Sequence, residues 1–301
     1  MKTAAIYLMS GDAHTPYLVV SLHTLQKHWK GDVRLYAWPE SIETVQKIAS
    51  DGRWQFRDLQ VEESDPTYRA RRDEGRQGKN DQFIHKQRLF QTLDLDYGLY
   101  LDADTSVHGD LSPLFRVAEE YGFCATRFSS WTTLGGVVKA RIGRLKEFGE
   151  IDQVMIDEVL KNPWPSVNGG VWCARPDSPV LKLWEEWTWA ARSVFIADEA
   201  VLHCMQPVFV PKRQMAVWPD GRFNCSCNPK WLPEKMGEHE VIVWHYHGDS
   251  AVRPNKLQGR GHERWWPMYL HCLENNVGNM QEWIDGVENR WLNSLQFEEK
   301  K

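Results

Sequence analysis

Short apolar runs alternate with amphipathic segments through the first hundred residues, a pattern best satisfied by a parallel sheet covered by helices. Residues 4–9 (AAIYLM) read as a strand, and Leu18, Leu22, Leu25 and Trp29 follow Pro16 at helical spacing. Residues 33–38 (VRLYAW) are rich in β-branched and aromatic side chains. Residues 41–49 are helical with Ser41 as N-cap, and residues 54–61 return as a strand. A charged, Gly-containing stretch fills 62–80 and is long enough for a functional loop. Asp81 then caps a helix carrying Phe83, Ile84, Leu89, Phe90 and Leu93, before Tyr97–Leu101 (YGLYL), a buried strand.

The second half is less regular. Ser112-Pro113 can open a helix, 122–126 is a short strand, and 138–161 reads as one helical stretch stopped by Asn162-Pro163. Residues 167–174 (VNGGVWCA) form a strand entered through a Gly-rich turn, and 177–192 form a Trp-rich helix. Residues 198–205 form a short helix begun by Asp198, and 241–245 are the last clear strand. No internal repeat or Ser/Gly/Pro linker divides the chain. One α/β domain over 1–261 is therefore expected, with 262–301 as a helical extension packed on it.

The 36 Lys+Arg against 41 Asp+Glu leave a net charge of −5, so no global positive field recruits a polyanion. No stretch approaches the roughly 18 apolar residues of a membrane span. The N-terminal apolar run breaks at Ser10-Gly11-Asp12 without a signal-peptide cleavage pattern, and no lipidation motif is present. No integral membrane segment is expected, and the protein is placed in the cytoplasm. Six scattered cysteines are expected as free thiols there. Cys225-x-Cys227 lacks both the spacing and the second ligand pair of a structural zinc site.

The chemistry concentrates at Tyr100-Leu101-Asp102-Ala103-Asp104-Thr105, where two carboxylates one residue apart follow a buried strand. Ligands of open α/β sheets bind at the carboxyl ends of strands, and hard oxygens at this spacing can hold Mg²⁺ or Mn²⁺ against a diphosphate. Taken alone, the same pair can be a turn in which Asp102 caps the following segment. The run from Lys86 through Asp94, Tyr97-Gly98-Leu99-Tyr100-Leu101-Asp102-Ala103-Asp104-Thr105, Gly109-Asp110-Leu111 and Leu114-Phe115 resembles the core of GT-A glycosyltransferases, in particular the retaining, family-8-like enzymes that use nucleotide sugars. In the order of that family, Asn168-Gly169-Gly170 is similar to an Asn-Ser/Ala-Gly turn and Asp198-Glu199 to an Asp-Gln segment. His245-Tyr246-His247-Gly248 with Arg253-Pro254 is similar to a late His-x-x-Gly-x-x-Lys-Pro-Trp signature. The resemblance covers roughly residues 4–256.

The resemblance implies a Rossmann-like GT-A domain that transfers a hexose, glucose or galactose, from a UDP-sugar to an acceptor hydroxyl with retention. By it, Asp102, Asp104 and His245 bind Mn²⁺ or Mg²⁺, with His245 fitting the motif better than His247. Lys86 serves the diphosphate or the carboxylates, and Asn168, Asp198 and Glu199 line the sugar pocket, Asp198 being the first candidate should a covalent intermediate form. Ser10, Asp12, Ala103, Gly169, Gly170 and Gly248 contact the donor. Two extra residues separate Gly248 from Arg253, and Asn255 stands where Trp is expected, so the phosphate contact falls to Arg253 or Lys256.

Sixteen Trp can pack a core or stack on sugars. Trp131, Trp265 and Trp266 lie among polar residues and are the acceptor-site candidates, ahead of Trp184, Trp187 and Trp189. Between residues 69 and 88 seven Lys and Arg face three carboxylates. That strip suits either a solvated lid or an acceptor such as a glycan, a phosphorylated lipid-linked glycan or a hydroxymethylated DNA base. Two other classes fit the acidic pair less fully: a Mg²⁺-dependent aspartyl-phosphate hydrolase of the haloacid-dehalogenase type, and a non-catalytic sugar- or nucleic-acid-binding module.

Overall fold

The computed structural model describes residues 1–11, 14–64, 81–127, 136–194, 196–227, 237–246 and 260–287. Ten strands and nine α-helices follow in chain order within them: β1 (Thr3–Met9), α1 (Thr15–Leu25), β2 (Asp32–Ala37), α2 (Ile42–Ala49), β3 (Asp58–Glu63), α3 (Asp81–Gln91), β4 (Tyr97–Leu101), β5 (Thr105–Val107), α4 (Ser112–Tyr121), β6 (Phe123–Arg127), α5 (Gly136–Arg144), α6 (Gln153–Lys161), β7 (Val167–Ala174), α7 (Pro179–Ala190), α8 (Ala197–Phe209), β8 (Ala216–Val217), β9 (Cys225–Ser226), β10 (Val243–His245) and α9 (Arg260–Glu274).

A seven-stranded, mainly parallel sheet runs in the order β3-β2-β1-β4-β7-β6-β8. Strands β1 to β4 are parallel neighbours, and β7 lies antiparallel between β4 and β6. Both faces are covered, so each central strand feeds two cores in alternation. Ala5, Tyr7, Met9, Leu99 and Leu101 face a core shared with α1, α2, α4 and α9. Ala4, Ile6, Tyr100, Trp172 and Ala174 face a second one under α3, α7 and α8. Trp172 fills the middle of that second core. It stacks on Tyr100 and Phe123 at ring-centroid distances of 5.2 and 5.5 Å and meets Trp184 edge-on. A separate three-stranded sheet, β5-β10-β9, sits beyond the carboxyl end of β4.

Several local readings shift. The third strand begins at Asp58 rather than at residue 54, because Trp54 turns its indole N–H onto Ile48 O and its ring onto Phe56 before the ladder with Asp32 starts. The stretch 138–161 is two helices. Phe148 is extended, and Asp152 starts α6 afresh by accepting from Val154 N at 2.8 Å. Ser41 precedes α2 but does not cap it, since its hydroxyl accepts from Gly11 N at 2.8 Å. Asn168, Gly169 and Gly170 lie inside β7 and form no turn, and the register irregularity opposite them falls between Ala125 and Thr126 of β6.

Candidate active site

The β4 strand delivers Asp102 to the edge of the large sheet, where Asp102 N donates to Gly170 O at 2.7 Å. Two residues on, the chain enters β5, whose antiparallel pairing with β10 sets Thr105 opposite His245. That register brings a histidine from far along the chain beside the acidic pair. His245 Nε2 lies 3.1 Å from Asp104 Oδ1 and 3.7 Å from Asp102 Oδ2. One ligand atom from each of the three residues falls within 4.8 Å of the others, a set of two hard oxygens and one imidazole nitrogen that fits a divalent cation.

The electrostatics favour a cation there. Burial raises the Asp102 carboxyl above its ordinary range and Asp104 adds to that, against the opposing pull of Lys86 and His245. Burial would lower the His245 imidazole, yet Asp104 and Asp102 outweigh it and hold the ring's affinity for a proton up. A site that draws positive charge onto its one nitrogen is a site short of a cation.

Beside this cluster lies a polar cradle. Lys86 Nζ and Asp198 Oδ2 form an ion pair at 2.6 Å with both side chains 3% exposed, and Lys86 also donates to Gly169 O at 3.0 Å. Lys86 is therefore paired with a carboxylate. Its ammonium lies over the rings of Tyr100 and Trp184. Asp198 and Glu199 sit in the first turn of α8, where acids suit the helix dipole. The helix is launched by Ile196 in the left-handed region at φ 55°, a conformation costing a β-branched residue about 1–3 kcal/mol. Asp198 Oδ1 is buried with no hydrogen-bond partner, an acceptor that a sugar hydroxyl would satisfy. Asn168 Nδ2 donates to Glu199 Oε2 at 3.0 Å, and Arg141 of α5 approaches Oε1 at 3.9 Å.

Burial, then the neighbouring Asp198 charge, push the Glu199 carboxyl up to about 7, against Arg141 and Asn168. A carboxyl that holds its proton more tightly folded than unfolded loses stability as pH rises from the ordinary carboxylate range through about 7. Glu199→Gln keeps the acceptor for Asn168 and removes that loss. Denaturant melts of the metal-free chain should show a gain that grows with pH, from below about 1 kcal/mol at about pH 5 to about 3 kcal/mol at about pH 8. Equal stability at both values would mean the carboxyl titrates normally.

The other expected residues divide. Ser10 follows β1 at the same sheet edge, and the Ala103 methyl is in the core between the two acids. Gly169 and Gly170 provide clearance: a Cβ on Gly169 would stand 2.8 Å from Lys86 Nζ, and one on Gly170 would stand 2.5 Å from Asp102 Oδ2. Asp12, Trp131, His247, Gly248, Arg253 and Lys256 lie outside the described residues, as does most of the basic strip between 69 and 88. Trp265 is a correction. Its polar sequence neighbours lie on other faces of α9, while its own ring is fully buried between Tyr17 and Tyr269, at 4.8 and 4.9 Å, and has no face open to an acceptor. Trp265→Ala should lower stability by about 3–5 kcal/mol in a melt rather than alter acceptor choice. Trp266 is half-buried against the same core. All six cysteines are buried, Cys225 and Cys227 among them.

Three participants carry no sequence signal of their own: Arg141, Thr126 and Asn224. Asn224 precedes β9 and is fully buried between His245, Thr126 and Asn168.

No family model matches the chain. No curated protein matches it either. Solved structures do. The galactosyltransferase LgtC, in complex with donor and acceptor sugar analogs, superposes with a TM-score of 0.60 at 16% identity over 88% of this chain and 95% of that one. Mouse xyloside xylosyltransferase 1 in its apo form gives 0.57 at 11% identity, over 84% of this chain and 99% of that one. The strand order, the acidic pair at the carboxyl end of β4 and these two likenesses agree, and the chain has the GT-A fold of glycosyltransferases.

Proposed function

We propose that the chain is a metal-dependent glycosyltransferase that moves a hexose, glucose or galactose, from a UDP-sugar to a hydroxyl of a glycan acceptor, with retention. The observation that carries this reading is the convergence of Asp102, Asp104 and His245 within 4.8 Å at the sheet edge, directly beside the Asp198, Asn168 and Glu199 cradle. Those three residues would hold Mn²⁺ or Mg²⁺, which would supply positive charge to a departing diphosphate. The remaining roles belong to the chain. Lys86 neutralises one Asp198 oxygen and leaves the other to accept from a donor-sugar hydroxyl. Asn168 and Arg141 orient Glu199 at the pocket wall. Arg253 or Lys256 grips the diphosphate, and Ser10 and Asp12 hold the nucleoside end.

Retention in this reading proceeds on one face of the sugar, with the donor phosphate taking the acceptor proton, so no protein base is required. A cytoplasmic location is part of this reading, and no described helix is long and apolar enough to cross a membrane.

A panel of nucleotide sugars incubated with Mn²⁺ or with EDTA, reading released nucleoside diphosphate, tests the proposal. Metal-dependent release from a UDP-hexose is the expected result. Release that EDTA leaves untouched would remove the metal from the mechanism. No release from any donor, together with no donor-induced thermal stabilisation, would remove the activity altogether.

A further inference from the structure

We propose that Asn224 is a positioning residue that fixes the tautomer of His245 and so decides which ring nitrogen meets the acidic pair; its bearing on catalysis rests on the metal-site reading above. The hydrogen-bond network leaves one arrangement. Gly170 N donates to Asn168 Oδ1 at 2.8 Å, which turns the Asn168 amide nitrogen to Glu199. The Thr126 hydroxyl spends its proton on Val171 O at 2.5 Å, so toward Asn224 it can only accept. Asn224 thus faces two acceptors, Thr126 Oγ1 at 3.0 Å and Asn168 Oδ1 at 3.2 Å, and must present its amide nitrogen to both.

Its carbonyl oxygen is then the atom 2.8 Å from His245 Nδ1. An acceptor at that distance requires the hydrogen on Nδ1, which leaves the neutral ring's lone pair on Nε2, the atom turned toward Asp104 and Asp102. The tautomer is therefore traced to two main-chain groups of β7, Gly170 N–H and Val171 C=O, relayed through side chains that are at most 8% exposed. A metal-binding histidine ordinarily has its second nitrogen held in this way, by a carboxylate, a carbonyl or a water. Here an asparagine does so, and the same amide leads on through Asn168 to Glu199, so the metal cluster and the sugar-pocket carboxyl share one network.

Mn²⁺ uptake by the full chain, followed by loss of the free-ion paramagnetic resonance signal, is the first test. Asn224→Ala is expected to weaken binding about 10–100-fold. Wild-type affinity in a folded Asn224→Ala overturns the proposal. The second test uses the wild-type chain and so does not depend on a variant folding: nitrogen NMR of isotope-labelled histidine, metal-free and with the ring neutral, His245 being assigned by its disappearance in His245→Gln. Hydrogen on Nδ1 is expected, and hydrogen on Nε2 overturns the proposal. A chain with hydrogen on Nδ1 that takes up no Mn²⁺ upholds the tautomer assignment and removes the metal reading beneath it, so the two failures are told apart.

Discussion

Asp102→Ala and Asp104→Ala should each lower metal-dependent donor turnover by about a thousandfold or more, the scale expected when a cation that stabilises a leaving diphosphate is lost. Each substitution removes one of the two carboxylates in a three-residue cluster and leaves a single carboxylate beside His245, too few hard oxygens for Mn²⁺ or Mg²⁺. The fold should not suffer with the activity. Burial, with Asp104 adding to it, holds the Asp102 carboxyl above the ordinary carboxylate range, so its charge opposes folding in the metal-free chain. The unfolding midpoint of metal-free Asp102→Ala is therefore expected to equal or exceed the wild-type value, as at sites where function is kept at the expense of stability. The two readouts are released nucleoside diphosphate with Mn²⁺ and with EDTA, and thermal melts without metal. Turnover retained in both variants would sink the site assignment; turnover lost together with the fold would make these acids structural.

The placement of these acids was legible because local rules suffice for it. Tyr97–Leu101 is a short apolar run stopped by two carboxylates, and the strand ends where the run does. His245 is different. No periodicity links it to Asp104, because the two meet through an antiparallel pairing between short strands far apart in the chain, and only the resemblance to a known motif singled it out. Asn224, Thr126 and Arg141 fall outside any such motif, and their roles exist only once β6, β7, β9 and α5 are assembled. The Gly-Gly pair misled for a physical reason. Adjacent glycines usually mark a turn through backbone freedom, whereas Gly169 and Gly170 lie in an extended strand and are needed for the space a side chain would take. Trp265 misled because polar neighbours in the chain occupy other faces of its helix, which a linear reading does not separate.

Gly170→Ala is the sharpest test of that clearance and should abolish Mn²⁺ uptake while leaving a folded chain. Its Cβ would meet the His245 ring at Cε1, Asp102 Oδ2 at 2.5 Å and Asn168 Oδ1 at 2.9 Å. Side-chain atoms can often retreat from an added methyl, but these are tied. His245 is held by Asn224, Asn168 Oδ1 accepts from both Gly170 N and Asn224, and Asp102 accepts from Tyr100. Relief therefore requires the metal ligands themselves to part, at an overpacking cost of about 1–3 kcal/mol. Gly169→Ala supplies the contrast. Its methyl would press on Lys86 Nζ at 2.8 Å and Asp198 Oδ2 at 3.1 Å, on the face of the strand away from His245, so Mn²⁺ uptake should persist while donor turnover falls by about 10–100-fold. Paramagnetic titration of both variants, paired with the diphosphate-release assay, reads the difference directly. Wild-type Mn²⁺ affinity in Gly170→Ala would mean that the ion binds away from the point where Asp102 and His245 converge, whereas loss of uptake in both variants would mean that β7 supports the site only as a whole.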